Sequence, residues 1–557
     1  MLAGCTPYPA ELSGQYIREG YWREETIGGL LEAAAQTWPE QIAVSDGDRK
    51  ITYVELDILA DRLARRLLAQ GLKPQDIVLL QVPNRWEFVV IFFALQKIGV
   101  LPVMCLPPHR HTEITYFAQL TQAAAYFAAP EFRGFDYLAM AREIHAEVPS
   151  LRHLVMLGDG SEAGVCYLDR WLKAPAKEES TFEMLSKYCP DPYDIALFLL
   201  SGGTTGIPKL IPRTHADYLH NSRQCAAVLE WNSFAVFLVV IPAAHNFPLS
   251  SPGLLGAVSV GARVAMCPST EPERVFEVIE REQGTCLAVS PALLIALLNS
   301  PHRSKYNLTS LRQVEAGGQK MLPELTDRTW AAWPHAAPVQ VFGMAEGLVN
   351  MTRLDDPADV IRETQGRPVS PGDEIRIVDD EDREVPAGEV GELLTRGPYT
   401  IRGYYKAEEH NRTAFTPDGF YRTGDMVRLH PSGNLVVEGR KKDMINRGGE
   451  KISAEEIENL ILSHDAVHMV AAVSMPDPVM GERTCAFVIP KPGRTLTLPE
   501  LCAFLLDKRI AKFKLPERLE LVQSFPLTGV GKVSKKDLRA QIAQKLAAEG
   551  SIRLRLD

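Results

Sequence analysis

A run of glycines and hydroxyls, Ser201-Gly202-Gly203-Thr204-Thr205-Gly206, leads into Ile207-Pro208-Lys209. Glycine lets the backbone take positive φ and approach a ligand closely. Threonine hydroxyls and successive N–H groups can surround phosphate oxygens, and a lysine adds charge. Lys209 stands three residues after Gly206 instead of directly after it, so this is not a Walker A loop. A solvated surface loop could have the same composition. Three further places carry chemistry. In Phe342-Gly343-Met344-Ala345-Glu346-Gly347 an acid follows an apolar stretch, and a carboxylate there can hold Mg²⁺ beside nucleotide phosphates; it would also suit a surface acid at a helix start. In Tyr421-Arg422-Thr423-Gly424-Asp425 an aspartate at a strand end can accept both ribose hydroxyls, although T-G-D also makes a good turn. Lys532, in Thr528-Gly529-Val530-Gly531-Lys532, is a cation on a glycine-rich loop, or simply an exposed lysine.

The elements that must position these groups read as α/β. A helix is predicted near 27–35. Thr52 and Glu55 form a capping-box pattern, followed by Leu56, Leu59, Leu63 and Leu67 at helical spacing and Gly71 as a stop. Strands at 76–82 and 99–105 flank a buried helix at 87–98, and the alternation continues to Ala128. Residues 145–195 are polar and proline-containing and read as loops. An apolar strand at 196–200 enters the glycine-rich run. A helix at 215–229, a strand at 234–242, a helical start at 250–253 and strands at 263–267, 286–289, 313–316 and 339–342 follow. Repeated βα units predict two doubly wound sheets. At 373–395 strands are separated only by tight turns, as in a small β subdomain. The charged 439–443 segment reads as a linker, with an α+β domain after it whose best helix starts at Ser453-Ala-Glu-Glu456 and aligns Ile457, Leu460 and Ile461. The fold expected is thus a large N-terminal region (1–440) of two doubly wound βα subdomains plus a small β subdomain, then a small mobile α+β domain (441–557).

The 557 residues are 46% hydrophobic and 23% charged, ordinary values for a globular protein. A net charge of −10 argues against nucleic acid or an anionic membrane as the main partner. The nine cysteines are scattered without a C-x-x-C, which suggests neither a disulfide framework nor a zinc site and suits a cytoplasmic protein. The first residues lack the basic and apolar regions of a signal peptide, and the apolar runs are too short to cross a bilayer.

Taken in order, SGGTTGIPK, FGMAEG, YRTGD, GRKKD, NRGGEKISAEEIE and GKVSKK resemble the adenylate-forming superfamily of acyl-CoA synthetases, luciferases and nonribosomal-peptide adenylation domains. The likeness runs over nearly the whole chain. LIPRTHADY, AAHNFPLSSPG, FGMAEGLVN and RGPYTIRGYYKAEEHN look most like the stand-alone aryl-acid ligases of siderophore synthesis, the 2,3-dihydroxybenzoate–AMP ligase type. The resemblance implies two steps, adenylation of a carboxylate by ATP with Mg²⁺ and transfer to the phosphopantetheine thiol of an aryl carrier protein. It assigns the leaving phosphates to Ser201, Gly202, Gly203, Thr204, Thr205, Gly206 and Lys209, and the metal to Glu346. Nucleotide binding falls to Gly317, Gly318, Val341, Phe342, Gly343 and Asp425, with Arg440 supporting the last. Lys532 bridges acid and nucleotide, His245 gates the acid site, Lys442 is the hinge, and Gly448 and Gly449 form the thioester-step loop.

The acid itself would meet His245, Asn246, Phe247, Ser251, Gly318 and Val349. Amino-acid-activating relatives have an aspartate at the position of Asn246; a neutral amide suits an ortho phenol instead. Ser251 and Val349 look like the dihydroxybenzoate type, since a serine can bond a second hydroxyl. Phe247 in place of tyrosine, Glu315 in place of glutamine and Gln319 in place of a small residue depart from that pattern. They keep salicylate or a hydroxypicolinate-like acid open. An aryl-CoA synthetase using free coenzyme A and a non-catalytic adenylate-binding protein are the other readings.

Overall fold

The computed structural model describes residues 2–173, 185–201, 208–447, 450–508, 510, 512–527 and 533–549. Two sheets organise the larger of two compact units, which comprises Met1–Ser201, Ile207–Ile375 and Thr395–Tyr421. The nine-stranded sheet runs Arg367–Pro368, Gly347–Met351, Ala337–Met344, Gln313–Gly317, Cys286–Val289, Val236–Val239, Arg263–Met266, Ile42–Asp46, Arg49–Thr52. Its central pairs are parallel, and antiparallel strands close both edges. The seven-stranded sheet runs Leu210–Thr214, Ile195–Leu200, Leu101–Met104, Ile77–Gln81, Ala125–Ala128, His153–Met156, Val165–Tyr167, all parallel except the first pair. These are the two wound sheets expected from the βα alternation.

The helices follow their sequence signals. Tyr53–Ala69 starts at the Thr52–Glu55 capping box, with both reciprocal bonds formed. Gly71, at φ +87, follows its end, where a left-handed residue costs glycine nothing. Trp86–Lys97 is buried from Glu87 onward because it shares one core with both sheets. Lys97 ends that helix with its ammonium 2.6–2.9 Å from Asp61, Asp57 and Glu32. These carboxylates hold its pKa above the ordinary lysine value although burial opposes this.

Four local expectations change. The polar 145–195 segment contributes two strands, His153–Met156 and Val165–Tyr167, and a helix, Leu168–Lys173, because parallel neighbours complete the short apolar runs. The strand expected at 234–242 is only Val236–Val239. Asn232 accepts the Phe234 N–H through its side chain and the Ala235 N–H through its carbonyl, which makes a turn and leaves Phe234 exposed. The strand before Glu346 runs on to Met344, so the acid lies in a hairpin turn between Ala337–Met344 and Gly347–Met351. Asp425 lies inside the strand Tyr421–Leu429 and not at its end, since the facing strand Leu435–Arg440 pairs as far as Asp425.

The second unit comprises Arg376–Leu394 and Arg422–Asp557, apart from residues outside the description. It therefore includes the 440/441 position within its span. Strands Glu374–Val378, Gly391–Arg396, Tyr421–Leu429 and Leu435–Arg440 form a four-stranded sheet. A five-stranded sheet with helices Ala454–Leu462, Leu498–Asp507 and Lys535–Ala548 forms the rest. In the first of these helices Ile457 and Ile461 are buried and Leu460 is partly so, as their spacing predicts. Among the described residues no helix is long and apolar enough to cross a membrane, and all nine cysteines are free.

Replacing Lys97 by methionine leaves three carboxylates facing a buried apolar group. Because those carboxylates are partly exposed, the expected loss lies at the low end of the ~3–5 kcal/mol typical of a broken buried pair. A thermal melt reads it, and an unchanged midpoint would show that the cluster does not hold the helix end.

Candidate active site

The glycine-rich run joins antiparallel strands and does not lead into a helix. Ile195–Leu200 pairs with Leu210–Thr214. At the base, the Ser201 N–H donates to the Lys209 carbonyl and the Lys209 N–H donates to Ser201 Oγ, each at 2.9 Å. Ser201 and Lys209 are thus fixed at the two ends of the segment. Gly202, Gly203, Thr204, Thr205 and Gly206 lie outside the described residues, as do Gly448, Gly449 and Lys532.

Arg213, on the second of these strands, was not singled out from the sequence. Its guanidinium is fully buried, with Nε 2.8 Å from Asp217 Oδ1. Nη1 donates to the Ala345 carbonyl at 2.9 Å, and the guanidinium carbon lies 4.7 Å from the centre of the Tyr218 ring. Asp217 also caps the helix His215–Val228 reciprocally with Thr214. The i, i+4 spacing of Arg213 and Asp217 and the T-x-x-D pattern were visible signals. Their burial was not.

Through Ala345 this arginine reaches the turn that carries Glu346. Glu346 is 8% exposed, and its Oε1 accepts from Tyr404 Oη at 2.7 Å. Tyr404 in turn lies 2.9 Å from Tyr421 Oη. With its own proton given to the carboxylate, Tyr404 accepts from Tyr421. Burial first, then the Glu346 charge, drives the Tyr404 pKa far above the tyrosine range, so it remains a donor. Gly347 is required beside it: φ is +147, and an added Cβ would lie 2.5 Å from Thr400 Cα. Among the described residues no cluster of three His, Cys, Asp or Glu could hold a metal. Mg²⁺ is commonly bound by one or two carboxylates together with phosphate and water oxygens, so a lone buried carboxylate such as Glu346 would suit it.

The expected acid-binding residues gather at the C-terminal ends of parallel strands, where open α/β sheets bind ligands. His245 is exposed and caps the helix Asn246–Ser250. Its Nδ1 accepts the Phe247 N–H at 3.2 Å, which places the proton of the neutral ring on Nε2. Asn246 Oδ1 accepts from Tyr218 Oη at 2.9 Å, so the amide has its NH₂ left to offer. The Phe247 ring covers Gly317, where a Cβ would lie 2.9 Å from Cε1 and 3.3 Å from Val341 Cβ. Gly318 follows, exposed, at φ +85. Val349 faces Gly343 across the hairpin. Its N–H donates to Tyr399 Oη at 3.0 Å, and Tyr399 donates to the buried Asp373 at 2.6 Å. Phe342 lies between Val341 and Gly343 on the same strand. Ser251 is 3% exposed and its Oγ has no hydrogen-bond partner. Glu315 is fully buried with neither oxygen partnered, and burial lifts its pKa to about 8.

In the second unit Asp425 and Arg440 are register partners on facing strands. Arg440 Nε lies 2.7 Å from Asp425 Oδ1, and Asp425 N donates to Thr423 Oγ1 at 3.0 Å. Lys442 lies in the single 3₁₀ turn Lys441–Asp443. Neighbouring Lys441 is tied to Glu392 at 2.8 Å.

Two wound sheets, a glycine-rich segment linking two antiparallel strands and a buried carboxylate on a hairpin turn form the frame on which the expected site residues sit. Residues 31–405 match the AMP-binding enzyme family and residues 456–532 the AMP-binding enzyme C-terminal domain, and the chain belongs to that family. It is 48% identical to the 2,3-dihydroxybenzoate-AMP ligase of Bacillus subtilis (strain 168), over 98% of this chain and 99% of that one. It is 47% identical to a Streptomyces salicylyl-CoA synthase / salicylate adenylyltransferase, over 97% and 98%. The apo structure of Mycobacterium smegmatis MbtA is similar at TM-score 0.73 and 44% identity, covering 97% of this chain and 99% of that one.

Glu315 gives the fold a pH dependence. Its ordinary pKa of 4.5 rises to about 8 in the folded chain. Between these values the folded state holds a proton that the unfolded state has released, so this group's contribution to stability falls as pH rises. Glu315→Gln removes the titration while Asp373 stays in both proteins. The melting-temperature gain of the variant over wild type is expected to grow from pH 5 to pH 8, read by calorimetry; a gain that shrinks over that interval would contradict the burial argument.

Proposed function

We propose that this chain activates 2,3-dihydroxybenzoate as its adenylate and passes the acyl group to the phosphopantetheine thiol of an aryl carrier protein, in siderophore or other nonribosomal peptide synthesis. The observation that carries the choice of acid is the buried, unpartnered Ser251 hydroxyl. It lies two helix turns or fewer from the Asn246 amide, which offers NH₂. The two groups would bond two phenolic hydroxyls, and the near-full-length similarity to a 2,3-dihydroxybenzoate-AMP ligase supports this.

In the first step a carboxylate oxygen bonds to the α-phosphorus of ATP while the bond to the β-phosphate oxygen breaks and pyrophosphate leaves. Both reactants are anions, so converging positive charge must offset their repulsion. Lys209, at the base of the glycine-rich hairpin, and Lys532 supply it in this reading. Ser201, Gly202, Gly203, Thr204, Thr205 and Gly206 cradle the leaving phosphates. Glu346 would hold Mg²⁺, which when bound neutralises phosphate charge. The Tyr421–Tyr404 chain orients that carboxylate and keeps one of its oxygens engaged. Asp425, paired with Arg440, takes the ribose hydroxyls, and Gly317, Gly318, Val341, Phe342 and Gly343 flank the nucleotide and ring. In the second step the thiol releases its proton to solvent, its sulfur bonds to the acyl carbon, and AMP leaves with the electron pair of the broken C–O bond. Lys442 is the hinge between the steps, and Gly448 and Gly449 serve the thiol step.

Salicylate is the second reading. It is favoured by Phe247, which brings no hydroxyl to the pocket, and by the similarity to a salicylate adenylyltransferase. Pyrophosphate exchange with a panel of aryl acids separates the two. Ser251→Ala is expected to lower kcat/KM for 2,3-dihydroxybenzoate by about 10–100-fold relative to salicylate, because a hydroxyl loses its buried partner. Equal losses for both acids would favour salicylate, and exchange with no aryl acid would end the aryl-acid reading.

The two steps can also be parted by mutation. Lys532→Ala is expected to abolish pyrophosphate exchange yet leave thioester formation from preformed adenylate largely intact. Lys442→Pro is expected to do the reverse. Equal loss of both half-reactions in either variant would count against separate roles.

A further inference from the structure

Glu315 has a carboxyl that the reaction set out above does not use. An unpartnered buried polar group costs free energy, so its persistence calls for a partner. Its position narrows what that partner is. On the strand Gln313–Gly317, residues 313, 315 and 317 share one face. At the outer end of that face the Phe247 ring covers Gly317. At the inner end Gln313 is consumed by Trp231 Nε1–H and by the Leu229 carbonyl. The helix His215–Val228 gives a second, independent bearing. Tyr218, Asn221 and Cys225 fall on one side of it by helical spacing. Tyr218 bonds Asn246, Asn221 bonds Ser250, and the Cys225 thiol is raised by burial and then by the nearby Glu315 charge. From Tyr218 to Cys225 is about 10 Å along the helix axis. Glu315 therefore lies on the sheet face that Phe247 covers, displaced inward from Asn246.

We propose that Glu315 forms a second polar subsite of the acid pocket, one that binds an amino substituent on the ring of the aryl acid. The inference rests on the aryl-acid reading. A carboxyl with two unengaged oxygens is mainly an acceptor. An aromatic amine brings two N–H donors, and its lone pair, delocalised into the ring, needs no partner. A phenol brings one donor and adds lone pairs that need partners of their own. Ser251 already offers a hydroxyl to a hydroxyl. Among the described residues no side chain supplies Glu315 with a donor, and an amino group on the ligand would. Burial holds the lone carboxyl in its neutral form, and pairing with an amine would return it toward the ionised one.

Pyrophosphate exchange on the full chain tests this with salicylate, its ring-amino derivatives and 2,3-dihydroxybenzoate. At least one aminosalicylate is expected to exceed salicylate in kcat/KM by about tenfold or more, the discrimination a buried polar contact gives. In Glu315→Gln and in Glu315→Leu the aminosalicylate-to-salicylate ratio is expected to fall by about tenfold, whatever happens to the absolute rates. A ratio is insensitive to partial misfolding, and a thermal melt reports on folding separately. A wild-type ratio at or below one, or a ratio unchanged in both variants, overturns the proposal. Exchange with salicylate or 2,3-dihydroxybenzoate but no amino preference removes only this subsite; exchange with no aryl acid removes the aryl-acid reading with it.

Discussion

The guanidinium of Arg213 joins three parts of the site at once. It pairs with Asp217 inside the protein, donates to the carbonyl beside Glu346, and lies against the Tyr218 ring whose hydroxyl holds Asn246. Desolvating a guanidinium and a carboxylate together is expensive, and their attraction repays it only when geometry is good and the remaining groups are bonded. Here Asp217 also accepts from Thr214 N, and Arg213 also donates to a main-chain oxygen. The planar fork of arginine makes this possible; a lysine could not serve the same directions. The strand carrying Arg213 is the one that follows the glycine-rich segment, so Lys209, the Glu346 turn and, through Tyr218, Asn246 are tied to one element.

That arrangement suits a reaction between two anions. Catalysis of this kind depends on charges held in place before the reactants arrive, and buried networks hold charges better than mobile side chains do. The hydrogen-bond chain Tyr421–Tyr404–Glu346 does this for the proposed metal ligand. Val349, Tyr399 and Asp373 form a similar chain, with burial lifting the Asp373 carboxyl to about 8. Ser251 Oγ and both Glu315 oxygens are buried without partners, as are Arg213 Nη2 and Asp373 Oδ1 in the residues around them. Rigid surroundings and unsatisfied ends are what a site needs if the ligand is to complete it.

Local signals in the chain carried far. The capping box at Thr52, the helix from His215, the short apolar strands and the β-rich 373–395 segment all formed where spacing placed them. The errors came where neighbours decide. The two strands within 145–195 exist because parallel partners complete them, and Phe234 left its strand because Asn232 closed a turn first. Asp425 was read at a strand end, but it lies inside the strand Tyr421–Leu429, whose partner strand pairs as far as Asp425.

By itself the sequence determined the order of motifs, the βα alternation and the residue types at each candidate position, because these depend on spacing along the chain. It named Glu346, Asn246, Ser251 and Val349 as residues able to do chemistry. Only the tertiary structure decided which of them are buried and which groups meet. Arg213 and Ala345 are 132 positions apart, and Tyr404 and Glu346 are 58 apart. Glu315, on the short strand Gln313–Gly317, became informative only once both oxygens proved to be buried without partners. Burial and hydrogen-bond satisfaction are properties of what surrounds a group in space, and no local pattern encodes them.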